Sequence, residues 1–415
     1  MLPKKQILLL VVVIAMASVF ILGCSTVKRI SFPTPVDTKT KKIYKQNKQT
    51  FTLDDIGVFA SNEFDTARLN GFEKVNDSTI NILITPENIP INNSAWYSFK
   101  IWSKLPKTMY LQFKYPEKYE HRYVPKIKRN SSDWVVADST KFQFQEKEGM
   151  LKIKINTEPL WISAQESVSS KDTEKWMNKV IKGKEYVSVY SAGASVLGRN
   201  IPVLDIYKGN KRGKPIVVLI SRQHPPELTG FFAFQSFLAT ILNESKLSKL
   251  FLEKYRILVF PIVNPDGVDM GHWRHNAHGI DTNRDWSKYL QPEIKNLTSY
   301  VVKATKKDKT TVLVAIDFHS TQEDMYYTSE TRNVTAHPDY IENWFAGIEK
   351  NLTEYNYKAE QERGNSIKPV SKGWFLKYFK ANAITYEIGD ETPRDFIKIK
   401  AQVAAKEMMK LMNKW

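Results

Sequence analysis

The sequence predicts an α/β domain whose sheet is covered by helices on both faces, preceded by a smaller antiparallel β-sandwich domain. Up to about residue 165, apolar residues alternate with polar ones over short runs, as in strands with one buried face. Farther along, the apolar runs are continuous, as in strands buried on both faces. The 415 residues, 42% of them hydrophobic, suit a globular protein of two domains or one large one, and exclude collagen, coiled coils and disulfide scaffolds.

The first 23 residues have the features of a bacterial export signal. Lys4 and Lys5 precede an apolar run over residues 7–22, which is short for a transmembrane helix. The sequence ILGC at residues 21–24 resembles the lipobox, in which the cysteine is lipidated and becomes the mature N-terminus. We therefore expect a protein of the bacterial cell envelope that is anchored to a membrane by lipid on Cys24. A plain signal anchor with an incidental cysteine is the alternative.

Charge and cysteine content limit the possible classes of protein. Cys24 is the one cysteine, so the chain has neither an intramolecular disulfide nor a zinc site of four cysteines. Removal of residues 1–23 lowers the formal net charge only from +17 to +15, so the basic character belongs to the exported body. Such a charge suits an anionic envelope surface or acidic peptides. No nucleic-acid partner is expected, because the lysines are dispersed and no recognisable motif accompanies them.

Residues 24–50 are predicted to form a polar, basic tether between the lipid and the folded body. They are rich in lysine and lack periodicity, so they either lie along anionic lipid or form a solvated linker. The β-sandwich domain is assigned to residues 51–170. Its alternating runs, such as those around Phe99 and Phe113, are separated by polar loops, and nothing in this segment assembles a chemical site.

The α/β domain is assigned to residues 171–415. Its buried strands are predicted at the continuous apolar runs, which are residues 216–220, 257–260, 312–316 and 383–386. Helices are predicted near residues 174–181 and 229–242. The chain closes with apolar residues spaced by three or four from Ile397 to Trp415, a pattern typical of an amphipathic helix that packs on its own domain.

The motif His224-x-x-Glu227 directly follows the first of these strands, at the edge of the sheet where open α/β folds bind ligands. A histidine and a glutamate at this spacing can converge on one metal ion. His319 lies just after the strand at residues 312–316 and offers a third ligand. Two histidines and a glutamate are the ligand set of hydrolytic zinc sites, with the fourth position left for water. A histidine satisfied within the core is the alternative interpretation for either position alone.

Three further segments place charged groups at the same rim of the sheet. Glu387 follows the strand at residues 383–386, and a carboxylate there can take a proton from the attacking water. Between the ligand positions lie the turn NPDG at residues 264–267 and two segments that carry Arg274 and Arg284. Arginine binds a carboxylate bidentately or stabilises negative charge that develops on oxygen, although a surface salt bridge is its ordinary role.

His272, His275 and His278 recur at every third position. They could form a second metal site. Loop residues at this spacing need not converge, however, and we expect no second metal ion.

These motifs together resemble the zinc carboxypeptidase family typified by carboxypeptidase A. The resemblance covers residues 185–415, and it rests on motifs in the family's order, which are His224-x-x-Glu227, Asn264-Pro-Asp-Gly267, Trp273-Arg274, Asp281-Thr-Asn283-Arg284, His319-Ser320 and Tyr386-Glu387. Each motif is modest, but the ordered set is highly specific. The β-rich segment ahead of it and the compact gap between Glu227 and His319 are similar to the cytosolic carboxypeptidase branch. The resemblance implies a mixed sheet with helices on both faces.

The resemblance also implies a metal centre. His224, Glu227 and His319 would hold one zinc ion, and Asp281 would orient His224 from behind. Glu387 would act as the general base towards water and then as the acid for the leaving amine. The implied reaction is the hydrolysis of the C-terminal amide bond of a peptide.

Substrate recognition follows from the same resemblance. Arg274 would stabilise the tetrahedral oxyanion, while Asn283 and Arg284 would bind the terminal carboxylate. The implied partner is therefore a peptide with a free C-terminal carboxylate. Lys372 falls near the position that shapes side-chain preference in the family, which predicts a preference for an acidic C-terminal residue.

One position departs from the family's pattern. The digestive members carry a mobile tyrosine upstream of the base, and the matching place here falls near Asn365. Tyr355 and Tyr357 are close in sequence but do not align with it. No tyrosine is therefore assigned a role in proton donation or in closure over the substrate.

Two alternatives stay open on the sequence. An amide hydrolase acting on peptidoglycan stem peptides or acyl-amino acids could use the same fold, although Arg284 favours recognition of a terminal carboxylate. A non-catalytic envelope binding protein could use a dead peptidase scaffold, yet such scaffolds usually lose a ligand or the base, and neither is missing here. The physiological substrate and the oligomeric state stay open as well.

Overall fold

The computed structural model describes residues 27–130 and 132–415. The predicted export signal at residues 1–23 and the lipidation site at Cys24 lie outside the described residues. Within the described part of the chain, no helix combines the length and the apolar character that a membrane span requires.

Two sheets of short strands form a β domain ahead of the predicted catalytic motifs. Its strands in the described residues are β1 (Thr50–Leu53), β2 (Val58–Ser61), β3 (Gly71–Lys74), β4 (Thr79–Leu83), β5 (Ser98–Ser103), β6 (Lys107–Lys114), β7 (Lys126–Arg129), β8 (Val135–Val136), β9 (Phe142–Gln145), β10 (Glu148–Ile155) and β11 (Leu160–Ser163). One sheet has the order β1-β2-β5-β11-β7-β8 and the other β3-β4-β6-β10-β9. Neighbouring strands are antiparallel, except that β4 and β6 pair in parallel.

Alternation along the strands builds the core between these two sheets. In β6, every second side chain is buried, and Leu111 and Phe113 are fully enclosed. The ring of Phe113 lies 6.4 Å from that of Phe99 in the opposite sheet. β9 is an edge strand, so Phe142 is buried while Phe144 remains 54% exposed. The smaller antiparallel β domain predicted by the sequence is confirmed.

A single mixed sheet forms the centre of the α/β domain. Its strands are β12 (Val187–Ala194), β13 (Asn200–Ile206), β14 (Ile216–Ser221), β15 (Arg256–Phe260), β16 (Val312–Thr321), β17 (Met325–Thr328), β18 (Gln361–Arg363) and β19 (Asn382–Gly389). The order is β12-β13-β15-β14-β16-β19-β17-β18. The run β15-β14-β16-β19 is parallel, and antiparallel pairs join β12, β13 and β17 to it.

Helices cover both faces of this sheet. They are α1 (Ser170–Ile181), α2 (Leu228–Ile241), α3 (Lys246–Lys254), α4 (Pro265–Asp269), α5 (Pro292–Asp308), α6 (Tyr340–Lys350), α7 (Ser371–Phe379) and α8 (Arg394–Met412). Val217 and Leu219 of β14 pack into one apolar cluster with α2 and α8, whereas Val218 and Ile220 pack into another with α5 and α7. This two-sided burial explains the continuous apolar runs and confirms the predicted fold class.

The segment before β1, which the sequence predicts to be a polar, basic tether, contacts the folded body. Residues 27–49 form no helix or strand. The first part of this segment contacts the α/β domain, and residues 44–49 contact the β domain. Phe32 is 9% exposed and joins the apolar cluster around α7. Thr38 is buried and donates its hydroxyl proton to Asp285, and its carbonyl accepts a hydrogen bond from Gln291 at 2.6 Å. A few specific contacts therefore fix a segment whose average composition is polar and basic.

Candidate active site

Two neighbouring parallel strands carry a predicted metal ligand and the predicted base. β16 and β19 both continue beyond their predicted ends, and His319 pairs in register with Glu387. Register partners project to the same face of a sheet, so the imidazole and the carboxylate lie side by side. His224 and Glu227 follow β14, which is the neighbour of β16 on its other side.

Three side chains meet in a group suited to one metal ion. His224 Nδ1 lies 2.8 Å from Glu227 Oε1, and His319 Nδ1 lies 2.6 Å from Glu227 Oε2. One ligand atom from each residue lies within 4.8 Å of the other two. Two imidazoles and a carboxylate directed at one point form a donor set that zinc takes in catalytic sites. The structure thus brings together the three residues that the sequence predicts as metal ligands.

Each imidazole of this group has a second carboxylate behind it. His224 Nε2 lies 2.9 Å from Asp281 Oδ1, and His319 Nε2 lies 2.9 Å from Asp317 Oδ2. A carboxylate at Nε2 holds the proton there and leaves the Nδ1 lone pair free for a metal ion. Asp281 lies where the sequence predicts it, whereas Asp317 was not predicted. Its signal was an acidic residue inside an apolar strand, two positions before His319 and therefore on the same face.

Burial and charge act against each other in this group. Burial alone would raise the pKa of Glu227, but the two adjacent imidazoles outweigh it and lower the pKa. Burial would likewise lower the pKa of His319, yet Asp317 and Glu227 hold it well above its ordinary value. The site is therefore arranged around opposite charges that attract, and the negative charge of Glu227 is available to a cation.

Glu387 lies beside the metal group with one unsatisfied oxygen. Its Oε2 is buried and has no hydrogen-bond partner among the described residues. Burial raises its pKa to about 8, helped by the carboxylate of Glu227 and opposed by the imidazole of His319. Buried polar oxygens are ordinarily satisfied, so the orphaned Oε2 fits a site completed by a metal ion and its water.

Arg274 is joined to the metal group through Asp281. It lies in the segment after α4, and its Nε donates to Asp281 Oδ2 at 2.7 Å. The other oxygen of Asp281 contacts His224, so one carboxylate links the guanidinium to a predicted metal ligand. Burial would lower the pKa of Arg274, but the carboxylates of Asp281 and Glu227 raise it. Arg274 is therefore a fixed positive charge at the wall of the site.

Asn283 and Arg284 belong to a short 3-10 turn, Thr282–Arg284. The turn begins where Asp281 Oδ1 accepts a hydrogen bond from the Asn283 N–H at 2.8 Å. Asn283 Oδ1 accepts another from the Ser371 N–H at 2.9 Å, and Arg284 Nη1 donates to the Asn283 carbonyl at 2.8 Å. These bonds orient the two side chains, and both line the cleft.

The metal group, Glu387 and these side chains line one cleft of about 420 Å³. Its wall carries five cationic side chains against three carboxylates; the cations are Arg122, Arg274, Arg284, Lys368 and Lys372, and the carboxylates are Glu227, Glu362 and Glu387. Lys372 is 7% exposed, and its Nζ donates to the carbonyls of Thr328 at 2.8 Å and Gly364 at 2.9 Å. Burial lowers its pKa to about 8. The cleft therefore suits an anionic ligand.

A tyrosine from another strand lines the cleft. Asn365 lies in the cleft wall, whereas Tyr355 packs on Phe396 with ring centroids 5.0 Å apart, and neither Tyr355 nor Tyr357 reaches the cleft. Tyr327 of β17 does line it, and burial together with the charge of Glu387 raises its pKa. Matching positions along the sequence could not identify Tyr327, because Tyr327 reaches the cleft through the pairing of β17 with β19.

The β domain also forms part of the cleft wall, through Asn92, Ser94 and Arg122. Arg122 Nε donates to Asp390 Oδ2 at 2.8 Å, a contact between residues 268 positions apart in the chain. The expectation that this domain contributes nothing to a chemical site is therefore wrong. No local pattern marks these residues, because only the docking of the two domains brings them to the cleft.

His272, His275 and His278 face different partners. His272 Nδ1 bonds to the His275 carbonyl at 3.0 Å, and His278 Nδ1 to Gln291 Oε1 at 3.0 Å. His275 Nδ1 lies 3.0 Å from Glu87 Oε1. Within the described residues these imidazoles do not form a metal group, and the metal group found there is that of His224, Glu227 and His319.

Comparison with known proteins finds a matching family model and relatives in sequence. Residues 173–407 match the family model described as zinc carboxypeptidase. Cytosolic carboxypeptidase 6 of Mus musculus is 26% identical over 146 residues, which cover 34% of this chain and 27% of the mouse protein. Cytosolic carboxypeptidase 2 of Danio rerio is 31% identical over 130 residues, which cover 31% of this chain and 18% of the zebrafish protein. The chain thus spans less than a third of the length of these two relatives.

Solved structures share the fold over both domains. A metallo-carboxypeptidase from Burkholderia cenocepacia superposes with a TM-score of 0.71 at 16% identity, covering 86% of this chain and 99% of that one. A metallo-carboxypeptidase from Pseudomonas aeruginosa, in complex with (2-guanidinoethylmercapto)succinic acid, gives a TM-score of 0.68 at 16% identity with the same coverage. A share of 86% is too large for the α/β domain alone, so the likeness of fold includes the β domain.

Proposed function

The chain belongs to the zinc carboxypeptidase family, and from this premise we propose that it is a zinc-dependent metallocarboxypeptidase that hydrolyses the C-terminal amide bond of peptides. The observation that carries the proposal is the group of His224, Glu227 and His319 with Glu387 in register beside it. This arrangement provides metal ligands and a base in one cleft, which is what a hydrolytic zinc site requires.

The chain's own residues would hold the metal ion and keep its ligands oriented. His224 and His319 would bind zinc through Nδ1, together with the carboxylate of Glu227. Zinc bound there would lower the pKa of a water molecule and polarise the scissile carbonyl. Asp281 and Asp317 would keep the Nε2 protons in place, so that both imidazoles present the same nitrogen to the metal.

Glu387 would move the proton. Its Oε2 has no hydrogen-bond partner in the described part of the chain, so it is available to take a proton from the attacking water and to return it to the nitrogen of the leaving amino acid. A carboxyl group whose pKa is raised towards neutrality performs both transfers well. It can accept a proton from water, and it holds that proton firmly enough to donate it afterwards. Burial supplies that shift here, and the positive charge of a bound metal ion would oppose part of it.

Three cationic or amide side chains would bind or stabilise the negatively charged groups of the reaction. Arg274 would stabilise the charge that develops on the carbonyl oxygen, as a preorganised donor held by Asp281. Arg284 and Asn283 would bind the terminal carboxylate of the substrate, with the planar fork of the guanidinium matching the two oxygens. Recognition of that carboxylate would distinguish this enzyme from an amide hydrolase of broader scope.

Lys372 would select the side chain of the terminal residue. Its ammonium group lines the cleft and has two backbone carbonyls as partners. One of its three N–H bonds is then left for the substrate. We propose a preference for glutamate or aspartate at the C-terminus.

The cellular location is a proposal from sequence alone. We propose that the protein is exported, lipidated on Cys24 and held at the bacterial cell envelope. Incorporation of a labelled fatty acid into the full chain, compared with Cys24→Ala, tests this. Loss of the label and of membrane association in the variant is expected, and equal labelling of both proteins would contradict the anchor.

A peptide-release assay tests the proposed activity. The purified protein should release the terminal amino acid from a peptide pool, should stop when a chelator removes the metal, and should recover with added zinc. C-terminally amidated peptides should not be cleaved. Glu387→Gln should lower the rate about 100-fold or more, the range typical of a lost general base. Glu323→Gln, at an exposed carboxylate outside the cleft, is the matched control. Absence of chelator-sensitive release would contradict the proposal.

A further inference from the structure

A buried carboxylate of the β domain reaches the segment that carries Arg274. Glu87 lies beyond β4 and is fully buried. Its Oε2 accepts a hydrogen bond from the Trp273 N–H at 2.8 Å, and its Oε1 accepts from the N–H groups of Arg274 at 3.1 Å and His275 at 2.8 Å. Three successive backbone N–H groups of the α/β domain therefore donate hydrogen bonds to one carboxylate of the β domain.

This contact lies next to the chemistry. The bonded peptide groups stand on both sides of the Cα atom of Arg274, so they set the direction in which its side chain leaves the backbone. From there Arg274 Nε reaches Asp281, and Asp281 reaches the metal ligand His224. A shift of the backbone at Arg274 would move the guanidinium within the cleft and would loosen its contact with Asp281.

The surroundings of Glu87 favour an ionised carboxylate. Arg68, also fully buried, donates from Nε to the Gly271 carbonyl and from Nη1 to the Thr85 carbonyl at 2.7 Å, which holds a positive charge near Glu87. Burial would raise the pKa of Glu87, but His272, His275 and Arg68 lower it. A carboxylate carries only acceptors, so it can satisfy three N–H groups that converge on it, which a side chain with its own donors cannot.

We propose that Glu87 is a positioning residue for the reaction, which rests on the proposed function of the site. The carboxylate fixes the backbone of residues 273–275 and so keeps Arg274 aimed at the developing oxyanion. The β domain thereby completes the catalytic centre of the α/β domain. Glu87 itself does not touch the substrate, so its effect passes through Arg274.

Glu87→Gln tests this role in the full-length, zinc-loaded protein. The amide keeps the shape but turns an N–H donor towards a backbone donor, which leaves a buried group unpaired. We expect kcat to fall about 10-fold or more while KM changes less than about 3-fold, because the oxyanion contact operates mainly in the transition state. The affinity for a phosphonate analogue of the peptide should fall in parallel with kcat, and the affinity for the released amino acid should stay constant.

Two further variants separate positioning from domain docking. Glu391→Gln removes a carboxylate that meets Lys126 of the β domain at 2.8 Å, across the same interface but away from Arg274. This variant should keep the wild-type kcat. Glu87→Asp keeps the charge on a shorter side chain and should restore part of the kcat lost in Glu87→Gln. If the amide variant does not fold, Glu87→Asp is compared with the wild type: a lower kcat with a parallel loss of phosphonate affinity supports the positioning role, and an unchanged kcat contradicts it.

The outcomes distinguish the two proposals. A wild-type protein without peptidase activity would overturn the proposed function. An active wild type with unchanged kcat in folded Glu87→Gln, or with equal losses in the Glu87 and Glu391 variants, would overturn the positioning role alone. Parallel losses of kcat and phosphonate affinity confined to the Glu87 variants would establish it.

Discussion

Gly230 and His319 are in backbone contact that leaves no room for a side chain. A Cβ atom built on Gly230 would lie 2.6 Å from the carbonyl carbon of His319. Gly230 is in the first turn of α2, three residues after Glu227, and its N–H donates to Ser320 Oγ at 2.9 Å. The close approach of α2 to β16 is thus what brings Glu227 within reach of His319.

Substitution of this glycine should therefore weaken the metal site. Gly230→Ala would force α2 away from β16, at a cost of about 1–3 kcal/mol typical of overpacked cores. We expect a lower unfolding temperature and at least about 10-fold weaker zinc binding, because the distance from Glu227 to His319 would grow. Chelator competition measures the affinity. Gly364→Ala, where a Cβ meets no atom of the described residues within 4 Å, is the matched control and should bind zinc as the wild type does. Equal affinities for all three proteins would contradict this account.

Asp317 should matter to the metal almost as much as a ligand does. Its carboxylate holds the Nε2 proton of His319, so Asp317→Ala would free the ring to turn or to change tautomer. We expect about 10- to 100-fold weaker zinc binding, the range found for partners of metal-bound histidines. Asp281→Ala, behind His224, should show a similar loss. Unchanged zinc affinity in both variants would show that the carboxylates do not support the ligands.

The parts of the site that sequence could predict are those set by local pattern and sheet geometry. His224, His319 and Glu387 lie at or near the ends of parallel strands, and such ends meet at one edge of the sheet whatever the loops do. Glu87 and Arg122 could not be found this way, because they arrive through domain docking between residues about 190 to 270 positions apart. Docking of this kind has no periodic signature in one sequence.

The amino-terminal segment shows the same limit. Its average composition is that of a polar, basic tether, but its structure depends on single residues such as Phe32 and Thr38. The ring of Phe32 fits beside Gly373, where a Cβ would lie 2.7 Å from the ring edge. The average polarity of the segment cannot identify such a single contact. Fold class depends on many residues and was predictable, whereas this anchoring depends on few and was not.

Asp285 should make folding stability depend on pH. Burial raises its pKa from 3.8 to about 6, so the folded state favours the protonated form. The protonated carboxyl therefore stabilises the folded state below about pH 4, by up to roughly 3 kcal/mol for a pKa shift of this size, and this stabilisation is lost as the pH rises through 6. The free energy of unfolding of Asp285→Asn, measured relative to that of the wild type, should therefore increase from pH 4 to pH 7. Urea unfolding at both pH values measures this, with exposed Asp133→Asn as control. A difference between variant and wild type that does not change with pH would contradict it.

Lys372 should make substrate preference depend on pH. Its pKa is lowered to about 8 by burial, so the ammonium is charged below pH 8 and becomes neutral above it. An acidic terminal side chain is attracted only by the charged form. The ratio of kcat/KM for glutamate release to that for leucine release should therefore fall as the pH rises from 7 to 9.

The variant Lys372→Met separates this effect from other titrations in the cleft. It keeps the length of the side chain and removes the charge, so the ratio should be low at both pH values and should no longer change between them. Loss of one charged hydrogen bond corresponds to about 1.5–3 kcal/mol, or roughly 10- to 150-fold in the ratio. A wild type that prefers leucine at pH 7 would contradict the assignment of Lys372. So would a preference for glutamate that persists in the variant.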